Sequence, residues 1–148
     1  MPNVYYSRII AAPAAGVWKI VGDFGSLPVW FPFVTASELD PPGGRREVGA
    51  LRTNHIDDGT VVVERLVELS DRDRRVTYDV VGGHAPVQNY TATITVHEIS
   101  DQEACFVTWT ASFDVIGDAD SIVDWVRNGI FRDCLAELER VLGVTAPA

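Results

Sequence analysis

Between residues 36 and 114 the chain is cut by turns that leave no room for a crossover connection. Strand-like runs fall near 36–39, 47–56, 60–69, 74–81, 88–99 and 104–114, and segments such as "DDG", "SDRD" and "SDQE" separate them. A parallel neighbour needs a connection of about a dozen residues or more, so runs joined this tightly must pair as antiparallel hairpins. A further strand, "NVYYSRIIA", opens the chain. Behind it, "AAPAAGVWKIVGDF" places a proline suited to a first helical turn and spaces Val17, Ile20, Val21 and Phe24 at helical intervals. The aromatic and proline-rich "GDFGSLPVWFPFV" predicts a short, broken helical segment.

The other end of the chain behaves differently. "DADSIVDWVRNGIFRDCLAELERVLG" repeats apolar residues four apart at Ile122, Val126, Ile130, Cys134 and Leu138, with acidic residues at its start and Gly143 after its end. Those are the marks of one long amphipathic helix. Seven antiparallel strands, two short helices and one long helix make an α+β fold. A curved sheet closed over a single helix leaves a cavity between the two layers.

Composition narrows the possible partners. The 148 residues fit one domain, 1–148, and no apolar run approaches the length of a membrane span. No basic, apolar and small-residue sequence opens the chain as in a secretory signal, so a soluble cytoplasmic protein is expected. A formal charge of −9 disfavours nucleic acid and anionic membranes as partners. The lone lysine, Lys19, sits beside Trp18 at a helix start and reads as a surface group. Cys105 and Cys134 lack any zinc or redox spacing and read as small buried hydrophobes. No metal and no cofactor is expected, and the assembly is expected to be a monomer or a homodimer.

Glu64 poses the central question. In "GTVVVERLVELS" the odd positions Val61, Val63, Val67 and Leu69 form the more apolar face, and simple alternation turns Glu64 to solvent with Val62, Leu66 and Glu68. The later strands are less equivocal. Tyr90, Ala92, Ile94 and Val96 oppose a row of threonines, as do Val107, Trp109, Ala111 and Phe113, and these apolar faces should look inward.

The order of elements, together with "VGALRT", "ERLVELSDRDRRVTYDVVGG", "NYTATITVHE" and the final helix, resembles the START-like superfamily of polyketide cyclases, the birch pollen allergen and the abscisic acid receptors. The resemblance spans nearly the whole chain and implies a helix-grip fold, a seven-stranded sheet wrapped around a long helix over a hydrophobic cavity. It also implies that the glutamate of "ERL" faces that cavity, against the alternation. Where the receptors carry a Ser-Gly-Leu-Pro gate and a His-Arg-Leu latch, this chain has "HIDDGT" and His84-Ala85-Pro86, which argues against gate and latch signalling. The segment matching the receptors' ligand-holding lysine is "VWFPF". The pattern Trp30, Arg52, Glu64, Tyr78, Pro86, Tyr90 and Trp109 fits the cyclase-like branch better.

On that footing Glu64, Arg52, Tyr78 and Tyr90 are the candidate catalytic residues. A desolvated carboxylate can move protons near neutral pH, an adjacent guanidinium fixes it, and two phenols can donate to a developing oxyanion. Trp30, Phe33, Asn54, Leu66, Val80, His84, Pro86, Ala92, Trp109, Ala111, Val126 and Ile130 are the candidate ligand-binding residues. The same groups also suit a structural ion pair and ordinary core tyrosines. Three functions stay open: a cyclase, aromatase or dehydratase for a hydrophobic small molecule, a non-catalytic carrier, and a ligand-dependent interaction protein closing loops 55–60 and 82–87.

Overall fold

The computed structural model describes residues 2–83 and 86–144. His84, expected at the ligand, lies outside the described residues. Seven strands, β1 (Asn3–Ile10), β2 (Val34–Asp40), β3 (Leu51–Ile56), β4 (Val61–Ser70), β5 (Arg75–Gly82), β6 (Val87–Glu98) and β7 (Cys105–Val115), form one antiparallel sheet. Its order is β1-β7-β6-β5-β4-β3-β2, so a single long connection, from β1 to β2, carries the chain across the sheet. That connection holds α1 (Ala14–Val21) and α2 (Leu27–Trp30). Pro13 caps α1 and Pro28 sits in the first turn of α2, where a missing N–H costs nothing.

The C-terminal helix runs from Ala119 to Leu142 in three continuous parts: α3 (Ala119–Asp124), a π-helical segment (Trp125–Arg132) and α4 (Asp133–Leu142). The Asp118 side chain accepts from the Asp120 N–H at its start, and Gly143 ends it in the left-handed conformation, φ +72°. The π segment changes which residues face the sheet. Val126 and Phe131, five apart, are fully buried, and Cys134, Leu135 and Leu138 follow. An even spacing of four, which places Ile130 in the core, is therefore corrected: the wider turn leaves Ile130 half-buried and brings Phe131 inward.

β4 supplies the second correction. Val62, Glu64 and Leu66 are buried while Val61 and Val67 are 40% and 41% exposed, so Glu64 points into the protein and not to solvent. The pairing with β5 slips between Val63 and Glu64 and again between Leu66 and Glu68, after which Leu69 lies opposite the buried Val76. The inward set is thus 62, 64, 66 and 69. The first slip adds Val81 to β5 and leaves the alternation of 62, 64 and 66 intact; the second adds Val67 to β4, and counting one face across it mixes inner and outer residues.

The inner faces of β6 and β7 match the alternation, with Tyr90, Ala92, Ile94, Val96, Val107, Trp109, Ala111 and Phe113 all buried. Trp109 stacks on Phe131 at 4.2 Å and 15° and meets Trp30 at 5.4 Å. This aromatic plug joins sheet, C-terminal helix and α2 into one core. Cys105 and Cys134 are buried and free, their thiols pushed up by burial, Cys105 to about 11. Among the described residues no helix is long and apolar enough to cross a membrane.

Candidate functional site

Cross-strand register builds the site. Arg52 on β3 lies directly opposite Glu64 on β4, Glu64 opposite Val80 on β5, and Asn54 opposite Val62. The row below it runs Leu66, Tyr78, Ala92 and Ala111 across β4 to β7. Between the upper rows and the π segment is a cavity of about 310 Å³, at the small end of the range for ligand pockets.

Of the candidate residues, Glu64, Asn54, Tyr78, Tyr90, Phe33, Val80, Val126 and Ile130 line this cavity. Other expected residues do not reach its wall. Trp30 and Trp109 are held in the aromatic plug, and Leu66, Ala92 and Ala111 occupy the lower row, where the space is filled. From that row only the long Tyr78 side chain extends to the cavity. Pro86 is half-buried, off the wall. Arg52 stands behind Glu64 and not beside a ligand.

The polar network at the cavity floor converges on one atom. Arg52 Nε and Asn54 Nδ2 each donate to Glu64 Oε1 at 2.8 Å, and Asn54 Oδ1 accepts from Ser37 Oγ at 2.7 Å. Arg52 Nη1 also donates to the Phe24 carbonyl at 3.1 Å, and its guanidinium lies over the Phe24 ring at 4.0 Å and the Tyr78 ring at 4.8 Å. Every contact of Arg52 is thus made inside the wall, which fixes the side chain and desolvates it. Glu64 Oε2 receives no hydrogen bond from the described residues, and the carboxylate forms part of the cavity surface. An acceptor left open on an oriented carboxylate is what a ligand hydroxyl, amine or acidic C–H would meet.

Tyr78 and Tyr90 bring two hydroxyl groups to the same wall. Tyr78 Oη accepts from Trp109 Nε1 at 3.2 Å, which leaves its own proton to give. Burial, and then the Glu64 charge, hold the Tyr78 phenol well above its ordinary value; burial does the same for Tyr90, followed by Tyr78 and Glu64. Both hydroxyls stay protonated across the physiological range. Tyr90 stacks on Phe113 at 5.5 Å, which locks its ring.

Several lining residues had no signal in the sequence. Val62 does not stand out from ordinary core, Asp57 and Asp58 read as a turn, and Trp125 and Gly129 belong to the π segment, which a four-residue repeat conceals. Gly129 is packed under the Trp125 ring, since a β-carbon there would come within 2.8 Å of Trp125 Cδ1. Among the described residues no group of His, Cys, Asp and Glu is placed to hold a metal.

Sheet, grip helix and lined cavity define a START-like protein of the helix-grip class. The family described as polyketide cyclase / dehydrase and lipid transport matches residues 1–143, and the chain belongs to it. The abscisic acid receptor PYL7 of Arabidopsis thaliana is 30% identical over 93 residues, 61% of this chain and 43% of the receptor. The chain therefore matches less than half the length of that relative. XoxI from Bacillus cereus superposes with a TM-score of 0.82 and 31% identity, covering 95% of this chain and 94% of that one. The di-domain aromatase/cyclase BexL from the BE-7585A biosynthetic pathway superposes with a TM-score of 0.76 over 97% of this chain and 47% of BexL, and at 19% identity it shares the fold alone.

Proposed function

We propose that the cavity binds a hydrophobic carbonyl-bearing small molecule and that Glu64 promotes its cyclisation or dehydration. The observation that carries this reading is the asymmetry of the Glu64 carboxylate, with Oε1 held by Arg52 and Asn54 and Oε2 outside that network, on a side chain that lines the cavity.

In this reading Oε2 takes the proton from the carbon next to a ligand carbonyl. The electron pair left on carbon moves to the carbonyl oxygen, which accepts hydrogen bonds from Tyr78 and Tyr90. In a dehydration the enolate expels a β-hydroxyl, and Glu64 returns its proton to the departing oxygen as water leaves. In a ring closure the enolate carbon bonds to a second carbonyl carbon, and Glu64 returns its proton to the new alkoxide. Arg52 acts as a positioning residue, holding the carboxylate without touching substrate. Phe31, Phe33 and Trp125 supply the apolar and aromatic wall.

Proton exchange tests the first step without knowledge of the natural substrate. Incubated in D2O with 4-hydroxy-4-phenylbutan-2-one, the protein is expected to accelerate exchange of the α-protons and release of the enone. Glu64→Gln should slow both by about 10²–10⁴-fold, the usual worth of a positioned base. Equal rates for the two proteins, with the ketone bound, would remove Glu64 from the chemistry. The second reading, a non-catalytic binder, is supported by the likeness to a protein named as a receptor. It predicts binding with no exchange above background in either protein.

A further inference from the structure

The charged residues on the cavity wall are all of one sign. Asp57 and Asp58, from the turn between β3 and β4, lie at its edge and Glu64 at its floor, while no lysine or arginine of the described residues lines it. The guanidinium of Arg52 is spent on Glu64 Oε1, the Phe24 carbonyl and two ring faces behind the wall. Its charge balances that of Glu64, which leaves the two aspartates as the surplus. Both are exposed, and neither forms an ion pair among the described residues. The Asp58 carboxylate is kept ionised, its pKa lowered by the Thr60 side chain and by the Thr60 N–H, which it accepts at 2.8 Å.

The neutral part of the wall favours the same kind of guest. Phe31, Phe33, Tyr90 and Trp125 border the cavity, and Arg52 already lies over the Tyr78 ring. An ammonium group inside such a ring of aromatics is attracted by their quadrupoles, and a carboxylate is repelled by them. The protein's net charge of −9 adds long-range attraction for cations.

Resting on the reading that this cavity holds a small molecule, we infer that its ligand is a hydrophobic amine, protonated at neutral pH, and that the site discriminates against carboxylates. The ammonium is held by the aspartates at the rim, which leaves Glu64 Oε2 to the proton transfer proposed for it, and the apolar body lies against the π segment. The aromatic wall and the buried floor distinguish this from a loose association with an acidic surface, because the guest must be both apolar and cationic.

Three probes of nearly equal shape test it: 2-phenylethylamine, 2-phenylethanol and 3-phenylpropanoate, titrated by calorimetry at low and high salt. The expected order is amine, alcohol, carboxylate, with the amine at least tenfold tighter than the carboxylate. An Asp57→Asn/Asp58→Asn variant should shrink the preference for amine over alcohol about threefold; asparagine at position 58 keeps a side-chain oxygen for the Thr60 N–H, so the turn retains that hydrogen bond. Alcohol and amine binding equally, or the carboxylate binding tightest, would overturn the inference while leaving the cavity a binding site. Failure of all three to bind would overturn both.

Discussion

Arg52 and Glu64 face each other across β3 and β4, joined at 2.8 Å with only 5% and 10% of their side chains exposed. A pair this buried stabilises little by its presence, yet each member becomes costly when left alone. Arg52→Met should therefore destabilise the fold by about 3–5 kcal/mol in urea unfolding, because Glu64 keeps only Asn54 as a donor. The double variant Arg52→Met/Glu64→Leu should recover most of that loss. A double variant as unstable as the single one would show that the arginine matters by packing on Phe24 and Tyr78, not by charge.

The phenols of Tyr78 and Tyr90 are raised in the folded protein, chiefly by burial. An unfolded tyrosine ionises near pH ~10. Stability from the two buried phenols is therefore complete below that value and is lost as pH rises beyond it, since the unfolded chain releases protons that the folded one retains. Urea midpoints should fall steeply above about pH 10, and the fall should be shallower in Tyr78→Phe. Phenolate absorbance from these two residues should appear with unfolding, not before it.

Gly129 holds the Trp125 ring at the cavity edge. In Gly129→Ala the new methyl must displace that ring, while alanine's better helix propensity offsets about 1 kcal/mol. The expected result is a fold within about 1 kcal/mol of the parent, a shifted tryptophan emission, and ligand affinity changed at least threefold by calorimetry. Unchanged emission and affinity would mean that Trp125 does not shape the entrance.

Gly83, where β5 ends, has φ +85°, and a β-carbon there would overlap the Val61 carbonyl oxygen. Gly83→Ala combines a left-handed backbone with a backbone clash, so it should cost at least about 2 kcal/mol in chemical denaturation.

Much of this architecture was legible because hairpin turns and strand alternation are local. The inner faces of β6 and β7 and the antiparallel order follow from short turns and threonine rows that any reading of the chain can find. Glu64 was not legible from its own strand, since the bulge at Val67 moves the inner face of β4 from even to odd positions and the outward Val61 and Val67 imitate a core. Its inward direction came only from resemblance to a family. Phe131 and Gly129 were hidden for a related reason: a π turn shifts the helix face by one residue, and periodicity carries no mark of it. The aspartates of the β3–β4 turn were read correctly as a turn, but a turn's place beside a cavity is a tertiary fact. Trp30 and Trp109 show the converse, because large aromatics look like a ligand cradle in sequence and here fill the core.

The central claim is that the space above Glu64 holds a small molecule. The most direct measurement is native mass spectrometry of the protein isolated from its own host, beside a Val62→Trp variant whose indole fills the cavity. The parent is expected to carry a non-covalent organic adduct, released by organic solvent and absent from Val62→Trp. An empty parent that also gains no thermal stability from a library of aromatic amines, alcohols and ketones would contradict it.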